Sequence, residues 1–336
     1  MVASWIKIFE KHSNEFSKIG VKLQEADLSQ DVSFTGMKPV AFCIKSDVFE
    51  LSDQTWKSLY ILTLIEHHAI LNPCKWLESI GYRVDYIPVD SKGIVLCNSF
   101  DGINLASIMF ANNEIGSIQP IKKLCEQAHA AGTLFHSDAV QAVGHIEIDV
   151  KELDIDFLSA SAHKFNGPKG IGFLYAKALS LLTPLISGGS QEFGYRAGTE
   201  NVASIVGMAV ALKKNCSEIE QNSQKILMLE NSLLQMLREK NIDFIRNGAE
   251  NHIPGNISLS FKNQNGEALL HRLDFAHICV STGSACDSQN TQVSHVLRSI
   301  GLPKEYAEGT IRISLGKYNT EEDVAVIAKS LASILL

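Results

Sequence analysis

Residues 159–172 read SASAHKFNGPKGIG, and the fold class is settled there. Phe157 to Ala160 has the apolar, β-rich look of a strand, and Gly172 to Ala176 opens the next one. Between them a turn rich in Gly and Pro receives Ser161, His163 and Lys164 at a strand's end, where α/β proteins bind ligands. A lysine beside other cations at the end of a buried strand loses its proton readily enough to form a Schiff base. Taken alone, a His-Lys dipeptide is more often a solvated surface pair, so its neighbours have to decide.

On either side the pattern repeats. Tyr82 to Val89, Leu105 to Ala111 and Thr133 to Ser137 also read as strands, and Ile121 to Ala131 carries apolar residues at helical intervals up to Gly132. Strands alternating with helices describe an α/β domain with a mixed, mostly parallel sheet. A long helical pattern runs from Val202 to Lys240, with a break expected near Asn215. Beyond it, strands at Asn256 to Phe261, Ile278 to Ser281 and Ile311 to Leu315 alternate with helices, as in a smaller α+β domain. The expected organisation is a divergent segment 1–65, a large domain 66–205, and a linking helix with a small C-terminal domain 206–336.

The 336 residues exceed what one core usually organises. The net charge of −7 offers no footprint for nucleic acid. The N-terminal MVASWIKIFEKHSNEFSKIG lacks both a signal peptide's apolar stretch and the acid-poor look of a transit peptide. No uncharged run is long enough to span a bilayer, so the chain reads as cytoplasmic. Seven cysteines without a CxxC pair argue against a disulfide framework or a structural zinc site.

Three further segments carry chemistry. In LFHSDAVQAVG, residues 134–144, Asp138 and Gln141 follow an apolar strand, and a carboxylate there can keep a pyridine nitrogen protonated; an isolated Asp after a strand is otherwise a helix cap. In STGSACDSQ, residues 281–289, Cys286 sits among small residues that suit an exposed, mobile thiol, whereas Cys279 has the apolar neighbours of a structural cysteine. In GTIRISLG, residues 309–316, Arg312 lies on an apolar strand; turned inward its planar fork suits a carboxylate, turned outward it is merely solvated.

IEHHAI, ANNEIG, HSDAVQ, SAHKFNGPKGIG, RAGTEN, STGSACDS and IRISLGKYNTEED, in that order, resemble the serial motifs of cysteine desulfurases of the NifS type. The resemblance implies the fold type I of enzymes that use pyridoxal 5'-phosphate (PLP). It also implies an activity, the removal of sulfur from L-cysteine to give alanine and a persulfide on Cys286. Lys164 is then the lysine bonded to PLP, Asp138 pairs with the ring nitrogen, and Gln141 bonds the ring hydroxyl. His67 lies over the ring and assists proton transfer. Ser161 and His163 contact the phosphate, Asn113 sits between cofactor and substrate, and Arg312 takes the substrate carboxylate. Thr199 completes the phosphate site of a second subunit, which implies a homodimer. The sulfur passes to an acceptor such as an iron–sulfur scaffold or a tRNA thiolation enzyme. No resident metal is implied, and any iron–sulfur contact would be a passing one through Cys286.

The chain also departs from that family. An Asn-Ala-Ala-Thr-Thr segment and a Gly-Thr-Glu phosphate loop are not found in residues 1–65, where VSFTGMKP, residues 32–39, offers only Thr35 and Gly36 after a short strand. GIVLCNSFDGINL, residues 93–105, is short for a crossover helix. These departures read as a truncated, rearranged or mispredicted frame. They keep two alternatives open, an impaired homologue that acts by binding a partner, and a lyase acting on selenocysteine or cysteine sulfinate.

Overall fold

The β-rich runs of the first half become strands of one sheet. The computed structural model describes residues 59–184, 186–283 and 293–336, together with the backbone of Val32–Ser33. In chain order the strands are β1 (Val32–Ser33), β2 (Leu59–Thr63), β3 (Arg83–Ile87), β4 (Leu105–Ser107), β5 (Leu134–Asp138), β6 (Phe157–Ser161) and β7 (Gly172–Ala176). Across the sheet they run β1-β7-β6-β5-β4-β2-β3. The strands from β3 to β6 are mutually parallel, while β7 and β1 close one edge antiparallel. The α/β reading with a mixed, mostly parallel sheet is borne out.

Helix α1 (His68–Ser79) packs on β3 and α2 (Ile121–Ala130) on β5. Phe157, Leu174 and Ala176 form a core with Leu105 and Leu182. No helix joins β3 to β4; residues 88–104 hold turns and one bridge, Val89 to Val95, in keeping with the short connection read from 93–105. Strand β2 lies in the segment that sequence left blank, because LYILT is too short and too uniformly apolar to alternate. Strand β4 stops at Ser107 rather than Ala111. The amides of Ile108 and Phe110 still bond β5, but that of Met109 turns to the Glu66 carboxylate and leaves the ladder.

The described residues form two compact units. The first takes residues up to Ile87, Cys97–Phe110 and Pro120–Ile219, and the second Pro88–Leu96, Ala111–Gln119 and Glu220–Leu336. The long helical pattern resolves into α3 (Val202–Ser217) and α4 (Ile219–Glu239), with the break expected near Asn215 falling at Glu218; Asn215 itself is buried inside α3.

The second unit holds strands β8 (Phe244–Asn247), β9 (Asn256–Phe261) and β10 (Thr310–Ser314) in the antiparallel order β10-β9-β8. Around them lie α5 (Gly266–Phe275), α6 (His295–Ser299), α7 (Lys304–Ala307) and α8 (Glu321–Leu335), the last started by a Thr320–Asp323 capping box. Alternation along NISLSF sends Ile257, Leu259 and Phe261 into the core with Leu233 and Leu331. The opposite face carries Asn256, Ser258 and Ser260, also buried. There Asn247 Nδ2 donates to the Ser258 and Ser260 hydroxyls at 3.1 and 2.7 Å. Ile278 to Ser281 does not form the expected strand; only Ser281 bridges, to Arg312. Among the described residues no helix is long and apolar enough to cross a membrane.

Candidate active site

Three central strands end in polar residues. Every residue of β5 after the first is buried, and its side chains must be satisfied within the sheet. The His136 ring lies between Ser107 Oγ on β4, 2.8 Å from Nδ1, and Ser159 Oγ on β6, 3.2 Å from Nε2. Burial lowers its pKa to about 3, so the imidazole is neutral. Asp138, the last residue of β5, accepts the Val140 amide at 3.0 Å. Burial raises its pKa to about 6, against a counter-effect from that bond and the Lys164 charge. The lysine and the carboxylate, 26 residues apart in sequence, are thus within electrostatic reach.

Glu66, which precedes His67 in IEHHAI, is the hub of that corner of the fold. It is fully buried, with Oε1 accepting the Thr63 hydroxyl at 2.6 Å and the Met109 amide at 2.8 Å. It therefore ties the turn that carries His67 to the end of β4. His67 caps α1, its Nδ1 accepting the Ala69 amide at 3.1 Å, which leaves Nε2 as the proton-carrying nitrogen of the neutral ring. Burial, chiefly, raises the Glu66 pKa to about 8. A raised folded pKa gives stability that is full at low pH and is lost as pH climbs through 8. The shifts of His136 and Asp138 act below about pH 6.5, so of these three buried groups it is Glu66 that acts in the window above it. Between pH 6.5 and 8 the protein should lose about 2 kcal/mol from this group. Urea midpoints measured across that range should fall for the native protein and stay level for Glu66→Gln.

Lys164 lies in a 3-10 turn, Ala162–Phe165, directly after β6. Ser161 Oγ and His163 Nδ1 are 2.8 Å apart at its start. Desolvation, then the charges of Lys164 and Lys169, lower the His163 pKa. The turn's backbone is gripped by side chains. His145 Nε2 donates to the Lys164 carbonyl at 2.8 Å, and Asn215 Nδ2 to the Phe165 carbonyl at 2.6 Å. Asn166, in the left-handed region at φ 63°, passes its amide to Asn215 Oδ1. Gly172 starts β7 where a Cβ would stand 2.4 Å from the Ala160 carbonyl oxygen. Gln141 is half-buried and Thr199 exposed, in the same unit.

In the second unit Arg312 turns inward, its Nη1 donating to the Asn113 carbonyl at 2.8 Å. Its backbone exchanges two bonds with Ser281, at 2.6 and 3.1 Å, so the stem of the Cys286 segment is fastened to the arginine's own strand. Gly283 follows at φ 56°, where a Cβ would meet Glu114 Oε2 at 3.3 Å. Cys286 lies outside the described residues, as do Thr35 and Gly36. Cys279 corrects its expectation: it is exposed, because the extended chain sends Ile278 inward and its neighbour out.

These residues fit PLP. Asp138 is a buried carboxylate whose ionised form wants a cation, which a protonated pyridine nitrogen is. The lysine in reach of it, and a hydroxyl and imidazole on the same turn, match the aldehyde and phosphate. Among the described residues no cluster of three or more His, Cys, Asp or Glu is placed to hold a metal ion.

The family model "Aminotransferase class-V" matches residues 49–327. The chain is 44% identical over 306 residues to "Cysteine desulfurase IscS" of Dictyoglomus turgidum, covering 88% of this chain and 77% of that protein. A solved structure described as "NIFS-LIKE PROTEIN" superposes with a TM-score of 0.84 at 35% identity, over 97% of this chain and 87% of the other. Another, "SspA in complex with cysteine", does so with a TM-score of 0.70 at 32% identity, over 93% and 89%.

Proposed function

We propose, for a chain that belongs to the class V aminotransferases and within them to the cysteine desulfurases, that it withdraws sulfur from L-cysteine through Lys164, Asp138, His67, Arg312 and Cys286. Bound PLP supplies an electron sink for the charge that develops at the substrate Cα. The chain's own residues do the rest. Asp138 holds the proton on the ring nitrogen, Gln141 bonds the ring hydroxyl, and Ser161 and His163 bind the phosphate with Thr199 of a second copy. Lys164 would hold the cofactor covalently, and its amine, when not so engaged, would move the substrate Cα proton together with His67. Arg312 takes the substrate carboxylate and Asn113 lies beside it. Cys286 attacks the substrate sulfur as thiolate; the C–S bond breaks, alanine leaves with the proton, and Cys286 keeps the sulfur as a persulfide. An iron–sulfur scaffold or a tRNA thiolation enzyme is the acceptor class, and the working form is a homodimer.

The observation that carries this reading is the placement of Lys164, in the turn after β6, within electrostatic reach of buried Asp138 at the end of the adjacent parallel strand. Asparagine at 138 keeps the shape and removes the charge that favours a protonated ring. Asp138→Asn should fold normally, bind PLP more weakly and turn cysteine over roughly 100-fold more slowly, the scale of losing one positioned proton partner. Alanine formation and a PLP titration followed by absorbance test it. Unchanged turnover would remove Asp138 from the ring nitrogen.

A further inference from the structure

The polar face of the three-stranded sheet holds a residue whose bonds lead to Arg312. Asn256 opens β9 and is 9% exposed. Its Nδ2 donates to the Asn113 carbonyl at 3.1 Å and lies 3.5 Å from that of Asn112. Two carbonyl oxygens face this end of the amide, so the nitrogen belongs there. The same Asn113 oxygen receives Nη1 of Arg312. Asn256 stands opposite Ser314 and Arg312 opposite Ser258, which makes them diagonal neighbours on one face. The segment that brings Asn113 approaches closely because Gly116, at φ +76°, has no Cβ; one built there would lie 3.2 Å from Asn256 Cβ.

We infer that Asn256 is a positioning residue for recognition of the substrate carboxylate, through the Asn113 carbonyl oxygen that it shares with Arg312. Held by Asn256, that oxygen fixes the roll of the guanidinium about its own axis. A fork binds a carboxylate with two parallel bonds only when the planes match. A guanidinium free to roll keeps its charge and loses that match, which weakens carboxylate binding and leaves the amine chemistry alone. The inference rests on Arg312 being the carboxylate-binding residue.

L-Alanine and ethylamine differ by the carboxylate, and each can be titrated into the PLP-loaded protein by absorbance. Asn256→Ala and Asn256→Asp should both weaken alanine about 10-fold, as for one misplaced charge-assisted bond, with ethylamine unchanged. For cysteine, KM should rise by a similar factor while kcat holds. The aspartate variant keeps the side chain's size and removes both N–H donors, so it serves even if the alanine variant fails to load PLP. Equal weakening of alanine and ethylamine, or of neither, overturns the positioning role. Arg312→Ala separates the two claims. If it leaves the preference for alanine intact, the carboxylate assignment is wrong and the inference falls with it. If it abolishes the preference while the Asn256 variants retain it, only the role of Asn256 is lost.

Discussion

Lys164→Ala should reduce desulfuration of L-cysteine by roughly 1,000-fold or more, because one side chain serves both as the covalent hold on the cofactor and as a proton carrier. The protein should still fold. The hydrogen bonds of Asp138 with the Val140 amide and of Ser161 with His163 do not involve the lysine amine, and its turn is fastened through backbone carbonyls by His145 and Asn215. PLP should therefore still bind, more weakly, while the absorption band of the lysine-bound form disappears. Added methylamine, a small amine able to fill the gap, should restore part of the rate. Full turnover in Lys164→Ala, or a surviving lysine-bound band, would mean that another lysine serves.

Cys286→Ser should lower alanine release from cysteine by at least about 100-fold, since a serine hydroxyl at neutral pH is a far poorer nucleophile toward sulfur than a thiolate. The two variants have opposite signatures. Loss at Cys286 should leave the PLP band and its response to cysteine intact and should remove the protein-bound persulfide, read by mass spectrometry as one added sulfur. For the native protein the rate should fall as pH drops below the thiol's pKa. With selenocysteine, Cys286→Ala that retained elimination while losing activity on cysteine would point to the lyase reading.

The parts of this site that were legible in sequence are those whose signal is local. Asp138 ends one apolar strand and Lys164 follows another within one short turn, and the carboxyl ends of strands are where α/β sheets receive ligands. For Arg312 the sequence leaves inward and outward both open, and its bond to Asn113, 199 residues away, is what shows it inward. Glu66, Asn215 and Asn256 were invisible for the same reason. Each owes its role to a backbone group on a distant element, namely the Met109 amide, the Phe165 carbonyl and the Asn113 carbonyl. Asn215 lies beside the expected helix break, and an asparagine inside a helix competes for backbone bonds. The competition is real, because its Nδ2 also reaches the Ala211 carbonyl, but the helix absorbs it. Of the fold, β5, β7 and β9 were found almost to the residue, being bounded by glycine or by clear alternation. Strand β2, which has neither, and β8, which has Gly248 after it but no alternation in its four residues FIRN, are not legible in the sequence.

The chain passes between its two units five times, and that sets an order on synthesis. Residues 88–96 and 111–119 leave the ribosome early, yet their partners come late; the Ser117 hydroxyl bonds the Ala249 amide across 132 positions. Until β8 and β9 arrive, those two early loops can close upon each other, through Ser117 and Gln119, but not upon their sheet, and such long closures slow folding. The C-terminal piece has the complementary problem. Cut free at Glu220, it would present the hydroxyls and amides of its inner layer without the loop that lies against Asn256. Neither half is an independent building block, so swapping C-terminal pieces between relatives should succeed only when both early loops travel with them.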